Sequence, residues 1–237
     1  MTDVQKQEQK NENKKKLVRI IAECGVLIAL ATVLSLFEIK FLPQGGGITI
    51  MGMLPVILIA YRHGAKWGFG SALVFSVIQI LLGLSTVASF FALGNDNYIG
   101  PKAVFVVLLD YVVAYTALGA AAIFRKMKSP TAALCVGSAV ALSLRFLAHF
   151  ISGAIFFSVW GEWFFSECGN FGAWVIEHIT DPTGFAMFYS LVYNATFMIP
   201  EIIITTIGAA AVSAIPIFTK KSDDPKPEIQ KAEVSNL

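Results

Sequence analysis

Residues 102–124, KAVFVVLLDYVVAYTALGAAAIF, hold two charged side chains, Lys102 at the start and Asp110 within. A helix crossing a bilayer needs about 20 mostly apolar residues, and this run meets that length. In hydrocarbon the backbone must satisfy its own hydrogen bonds, so such a run is a helix. A carboxylate inside it costs free energy, which makes Asp110 a functional candidate from the outset.

Working outward, five more apolar runs appear, at about 17–37, 48–61, 66–84, 131–158 and 185–218. The second is short for a span and is tolerable if other helices surround it. The last is long and carries Pro200, a place for a kink. Composition agrees with a polytopic α-helical membrane protein. The 237 residues are 56% hydrophobic and 14% charged, against about 25% charged in soluble domains. The expected fold class is therefore all-α, with six transmembrane helices in one domain over 17–221. Residues 1–16 and 222–237 are polar and are expected as disordered tails. A net charge of +2 with no basic stripe gives no sign of a nucleic-acid partner. Cys24, Cys135 and Cys168 match no disulfide or metal spacing and read as small packing residues.

Lysine and arginine orient the spans. Fifteen of them fall in the N-terminal tail, the 62–66 connection, the 125–128 connection and the C-terminal end, all on one side of a six-span topology. Lys40 and Lys102 alone fall on the other side, and Arg145 lies inside a span. The expectation is a plasma-membrane protein with both termini cytoplasmic. The two outer connections are then 38–47 (EIKFLPQGGG) and 159–184. Three successive glycines give the first the conformational freedom of a movable lid or of a plain connector. The second holds Trp160, Trp163, Phe164, Phe165, Phe171 and Trp174 and suits an interfacial segment.

Polar residues inside the spans form a small set. Asp110 and Tyr111 lie on span four, Arg145 and His149 on span five, and Tyr189, Tyr193, Asn194 and Glu201 on span six. At 1.5 Å per residue, Asp110, His149 and Asn194 each lie roughly 12–13 Å from the outer end of their helix. Three helices thus bring polar groups to one depth. That fits an outward-opening site, or a polar knot holding the bundle together. A carboxylate, an imidazole, an amide and aromatic rings suit a flat, cationic, polar heterocycle.

The segments LPQGGGITIMGMLPVILIAYRHGAKWG, LLDYVVAYTALGAAAIFR, LRFLAHFISGAIFF and YSLVYNATFMIPE resemble the thiamine-specific substrate-binding (S) components of energy-coupling factor (ECF) transporters. The resemblance implies the six-helix S-component fold and thiamine, as transported ligand and not cofactor, held at high affinity near the outer face. It implies that Asp110, Tyr111, His149, Tyr189 and Asn194 contact the ligand. It places stacking aromatics at Phe75 and Phe157, with Trp160 or Trp163 as further candidates. The gating-loop reading of Gln44, Gly45 and Gly46 rests on the glycines instead, because some relatives place an aromatic in that loop. The resemblance also implies an ECF coupling module, one membrane coupling subunit and two ATPase subunits, docking on small residues of the first span. Ala22, Gly25 and Ala29 share such a face.

No G-x-x-x-x-G-K-[ST] loop occurs, so ATP hydrolysis by that route is not this chain's own. Two other readings stand beside the first. One is an S component for a different vitamin or a pyrimidine. The other is an intramembrane hydrolase using Ser71 and His149, which the depth estimate opposes, because Ser71 lies near the far end of its span.

Overall fold

The computed structural model describes residues 3–40, 42, 46–91 and 101–222. Helices dominate: α1 Asp3–Leu36, α2 Leu54–His63, α3 Ala65–Leu82, α4 Leu84–Phe90, α5 Pro101–Lys126, α6 Pro130–Ser152, α7 Gly161–Ser166, α8 Gly169–His178, α9 Pro182–Ser213 and α10 Pro216–Thr219. Among the described residues, five helical stretches are long and apolar enough to cross a bilayer: α1, α3, α5, the run Pro130–Ser166 that contains α6, and α9. The short run expected as the second span becomes α2, with Leu54 through Tyr61 all buried. Its neighbours supply the apolar surroundings that its length does not require of lipid.

Three expectations are modified. Helix α1 runs back to Asp3, so the described part of the expected disordered N-terminal tail is helical, with side chains 3–19 exposed. The connection 159–184 is mostly the short helices α7 and α8, and Phe164 and Phe165 are buried in the core, not interfacial. Their rings pack on α9, where Phe164 meets Tyr189 and Tyr193 edge-on at 5.7 and 5.3 Å and Phe165 stacks on Phe188 at 5.9 Å. Trp174 does stay exposed, stacked on His178. Finally, α9 continues through Pro200 as one helix.

Small residues let the central helices approach. A Cβ on Gly68 would lie 2.6 Å from that of Ala60, and one on Gly119 would lie 2.6 Å from the Phe69 ring, so α2, α3 and α5 meet almost backbone to backbone. Large apolar side chains such as Leu73, Val77 and Leu81 of α3 point out of the bundle, as a lipid-facing surface requires.

Two polar fasteners mark the ends of the bundle. At one end, Glu23 of α1 pairs with Arg62 at 2.5 Å, and Arg125 donates to the carbonyls of Tyr61 and Arg62. At the opposite end, β1 Glu38–Lys40 pairs antiparallel with β2 Gly47–Thr49, forming a two-stranded hairpin. Its base is pinned by Glu201 of α9. That carboxylate is 1% exposed, accepting from the Thr49 amide at 2.6 Å and the Thr49 hydroxyl at 2.7 Å. The carboxylate inside the bundle is therefore satisfied by charge-assisted hydrogen bonds from the hairpin.

Candidate functional site

Beneath the hairpin lies a cavity of about 790 Å³, walled by α1, α3, α4, α5, α6 and α9. Two departures from α-helical geometry shape it. Helix α5 opens into a π-helical turn over Leu108–Val113, and α6 passes into another over Gly153–Phe157. Such turns are rare and cluster at functional sites. The first carries Asp110 and Tyr111 to the cavity, and the second carries Gly153 and Phe157. Gly153 allows the close approach of α9 there, because a Cβ would press on the Ser190 hydroxyl and force that side chain to move.

Asp110 is the centre of a hydrogen-bonded set. One carboxylate oxygen lies 2.8 Å from His149 Nδ1, and the other accepts from the Ser152 hydroxyl at 2.7 Å. A carboxylate only accepts, so Nδ1 carries the proton, and in the neutral ring Nε2 is an acceptor. That Nε2 is buried without a hydrogen-bond partner among the described residues. An orphaned buried polar atom at a cavity is a mark of a ligand position. Phe197 holds the imidazole edge-on at 5.9 Å.

Asn194 is oriented in the same sense. Its amide nitrogen faces the Ser190 carbonyl at 2.9 Å, the Ser190 hydroxyl at 3.2 Å and the His149 carbonyl at 3.3 Å. The amide oxygen is left for the cavity, which Asn194 lines. Asp110, His149 and Asn194 thus give the cavity an acceptor-rich lining, with His149 Nε2 as a further acceptor just behind its surface, suited to a cationic ligand that donates hydrogen bonds.

The structure brings together most of the residues singled out from the sequence. Asp110, Tyr111, His149, Tyr189, Asn194, Phe157, Trp160 and Gly46 all line the cavity. Phe75 and Trp163 do not. Phe75 is wholly buried behind Tyr115, edge-on at 5.5 Å, and Tyr115 takes the place at the cavity. Trp163 is 43% exposed on the outside of α7. Gln44 and Gly45 lie outside the described residues. Arg145 lies 4.5 Å over the Tyr115 ring and donates to its hydroxyl at 3.3 Å. Ala22, Gly25 and Ala29 are exposed on α1, and a Cβ on Gly25 would meet nothing.

Several lining residues were not singled out from the sequence: Glu38, Gln79, Tyr115 and Phe197, nor was Ser152, which sits behind the lining and donates to Asp110. Gln79 offered a signal, since an amide inside an apolar run is as unusual as Asn194. Ser71 is buried in α3 and does not line the cavity with His149, so the pair needed by a serine hydrolase is not assembled there.

Residues 21–180 match the thiamine transporter protein family. Thiamine transporter ThiT of Bacillus subtilis is 35% identical over 206 residues, which are 81% of this chain and 88% of the relative. A solved structure of ThiT from Listeria monocytogenes superposes with a TM-score of 0.60 at 18% identity, over 86% of this chain and 99% of that one, a likeness of fold. These are transporters and not enzymes, and the chain, a multi-pass membrane protein, belongs to the thiamine transporter protein family.

Proposed function

We propose that the cavity beneath the hairpin is a high-affinity thiamine site, opening to the cell exterior, in the substrate-binding subunit of an ECF-type uptake system. Thiamine joins an aminopyrimidine to a permanently cationic thiazolium bearing a hydroxyethyl arm. The observation that carries the reading is the Asp110–His149–Asn194 wall: one carboxylate and two oriented neutral acceptors on a single cavity surface. The carboxylate answers the cation, the acceptors answer the amino group, and Tyr111, Tyr115, Phe157, Tyr189 and Tyr193 offer ring faces or edges. The family and the Bacillus subtilis relative supply the identity of the vitamin.

Uptake against a gradient then needs partners. The exposed Ala22–Gly25–Ala29 face of α1 is the proposed seat of the membrane coupling subunit, with two ATPase subunits behind it. Small residues on a lipid-facing helix allow close helix–helix contact. The lysine and arginine distribution supports cytoplasmic termini and a hairpin at the outer face.

The test is a calorimetric titration of the purified chain, without ATP or partners, against a panel of vitamins. Saturable heat with thiamine and none with flavins or free pyrimidines is expected. Preference for another vitamin would reassign the cavity.

A further inference from the structure

On the wall opposite α9, Gln79 of α3 lines the cavity and is 8% exposed. Its amide nitrogen lies 2.7 Å from the hydroxyl of Ser35 on α1. Ser35 in turn lies 2.8 Å from the carbonyl oxygen of Ala31. A serine hydroxyl has one proton. That proton goes to the carbonyl, which can only accept, so Ser35 Oγ must accept from Gln79. The relay therefore fixes which way the amide faces: Nε2 toward Ser35, Oε1 away from it. Gln79 Oε1 has no hydrogen-bond partner among the described residues. An amide oxygen fixed in orientation and unpartnered, on a residue lining a cavity, is an acceptor to which a ligand or water there can donate.

We infer that Gln79 is a second ligand anchor, a neutral acceptor that receives the hydroxyl proton of the ligand's alcohol arm; this rests on the thiamine reading of the cavity. The chemistry separates the two walls. Asp110 carries a negative charge suited to the cationic ring, with His149 and Asn194 beside it as acceptors. Gln79 is uncharged and oriented, matching a neutral O–H donor. Near it, a Cβ on Gly83 would lie 2.7 Å from the Tyr111 hydroxyl, so Gly83 leaves room for that hydroxyl beside the Gln79 turn of α3. Tyr111 thus brings a donor–acceptor group to the same region, as an alcohol that both donates and accepts requires. Ser35 acts through Gln79 and is a positioning residue.

The experiment measures equilibrium binding to the purified full chain and its Gln79→Leu variant with three ligands. They are thiamine, an analogue with hydrogen in place of the arm's hydroxyl, and an analogue with hydrogen in place of the pyrimidine amino group. Leucine removes the acceptor and leaves Ser35 bonded to Ala31. Gln79→Leu is expected to weaken thiamine about fivefold to tenfold, the loss of one buried hydrogen bond. It should leave the deoxy analogue within about twofold of wild type and weaken the desamino analogue as much as thiamine. Ser35→Ala, which frees the amide to turn, should give the same ligand-selective pattern at smaller amplitude. Equal losses for thiamine and the deoxy analogue in both variants would overturn the inference. A loss that disappears with the desamino analogue would also overturn it, because Gln79 would then read the amine. Wild type that binds thiamine while Gln79→Leu binds it equally well would remove Gln79 alone. Wild type that binds no thiamine would remove the thiamine reading itself.

Discussion

Asp110→Asn keeps the shape of the side chain and deletes its charge, and its consequence can be worked from the Asp110 hydrogen bonds. A carboxylate and a ligand cation about 5 Å apart, at an effective dielectric near 20, attract by about 3 kcal/mol. Desolvation of both ions offsets part of this, and leaving half gives about 1.5 kcal/mol, or about tenfold in Kd. A second, smaller effect comes from His149. With aspartate, Nδ1 must donate; with asparagine, the imidazole can accept from the new amide and move its proton to Nε2. An acceptor at the cavity then becomes a donor, whatever the ligand's charge. Thiamine is therefore expected to weaken about tenfold or more, and an analogue with a neutral ring in place of the thiazolium by under about threefold. Fluorescence or calorimetric titration of both ligands against both proteins closes the cycle. Equal losses would mean that Asp110 acts only by orienting His149 and Ser152, and the electrostatic part of the account would be wrong.

Other outcomes follow from the same geometry. Asn194→Ala and His149→Ala should each weaken thiamine at least about tenfold by removing an oriented acceptor, and unchanged affinity in both would make the set a structural knot. Thr49→Val removes one of two bonds to the buried Glu201 carboxylate and should lower Tm in detergent on the order of 5 °C, with an unchanged melt contradicting the pinning role. Gly46→Ala places a Cβ 2.7 Å from the Phe197 ring at φ +92°, so Phe197 and its contact with His149 must shift. Thiamine binding should fall at least about fivefold, and full affinity would detach the hairpin from the site. Gly25→Leu with Ala29→Leu should abolish thiamine uptake in cells holding the coupling module while leaving binding to the isolated chain intact; joint loss would show that this face packs within the subunit.

Much of this was legible because a bilayer is a severe solvent. Five long helices follow from apolar length alone, and the short α2 from a run too brief to span by itself. Asp110, His149 and Asn194 could be placed at one depth by counting 1.5 Å per residue, and they do share a cavity wall. Tyr115 was legible but not singled out: it lies four residues after Tyr111, so the two share a helix face at the cavity. The π-helical turn at Leu108–Val113 was not legible, because nothing in its apolar composition marks it. Phe164 and Phe165 looked like aromatics of a long connection because six-residue helices such as α7 leave little periodicity to read. Their burial depends on α9 running alongside, a tertiary fact. The Glu201–Thr49 bonds join residues 152 apart, beyond any local pattern.

The central claim is that thiamine occupies the cavity between the Asp110 wall and the hairpin. An experimental structure of the purified chain grown with thiamine tests it most directly. The account predicts ligand density beneath the hairpin, with the cationic ring beside Asp110 and the amino group within hydrogen-bond distance of Asn194 or His149. Well-ordered protein with that cavity empty, or thiamine seated elsewhere, would contradict it.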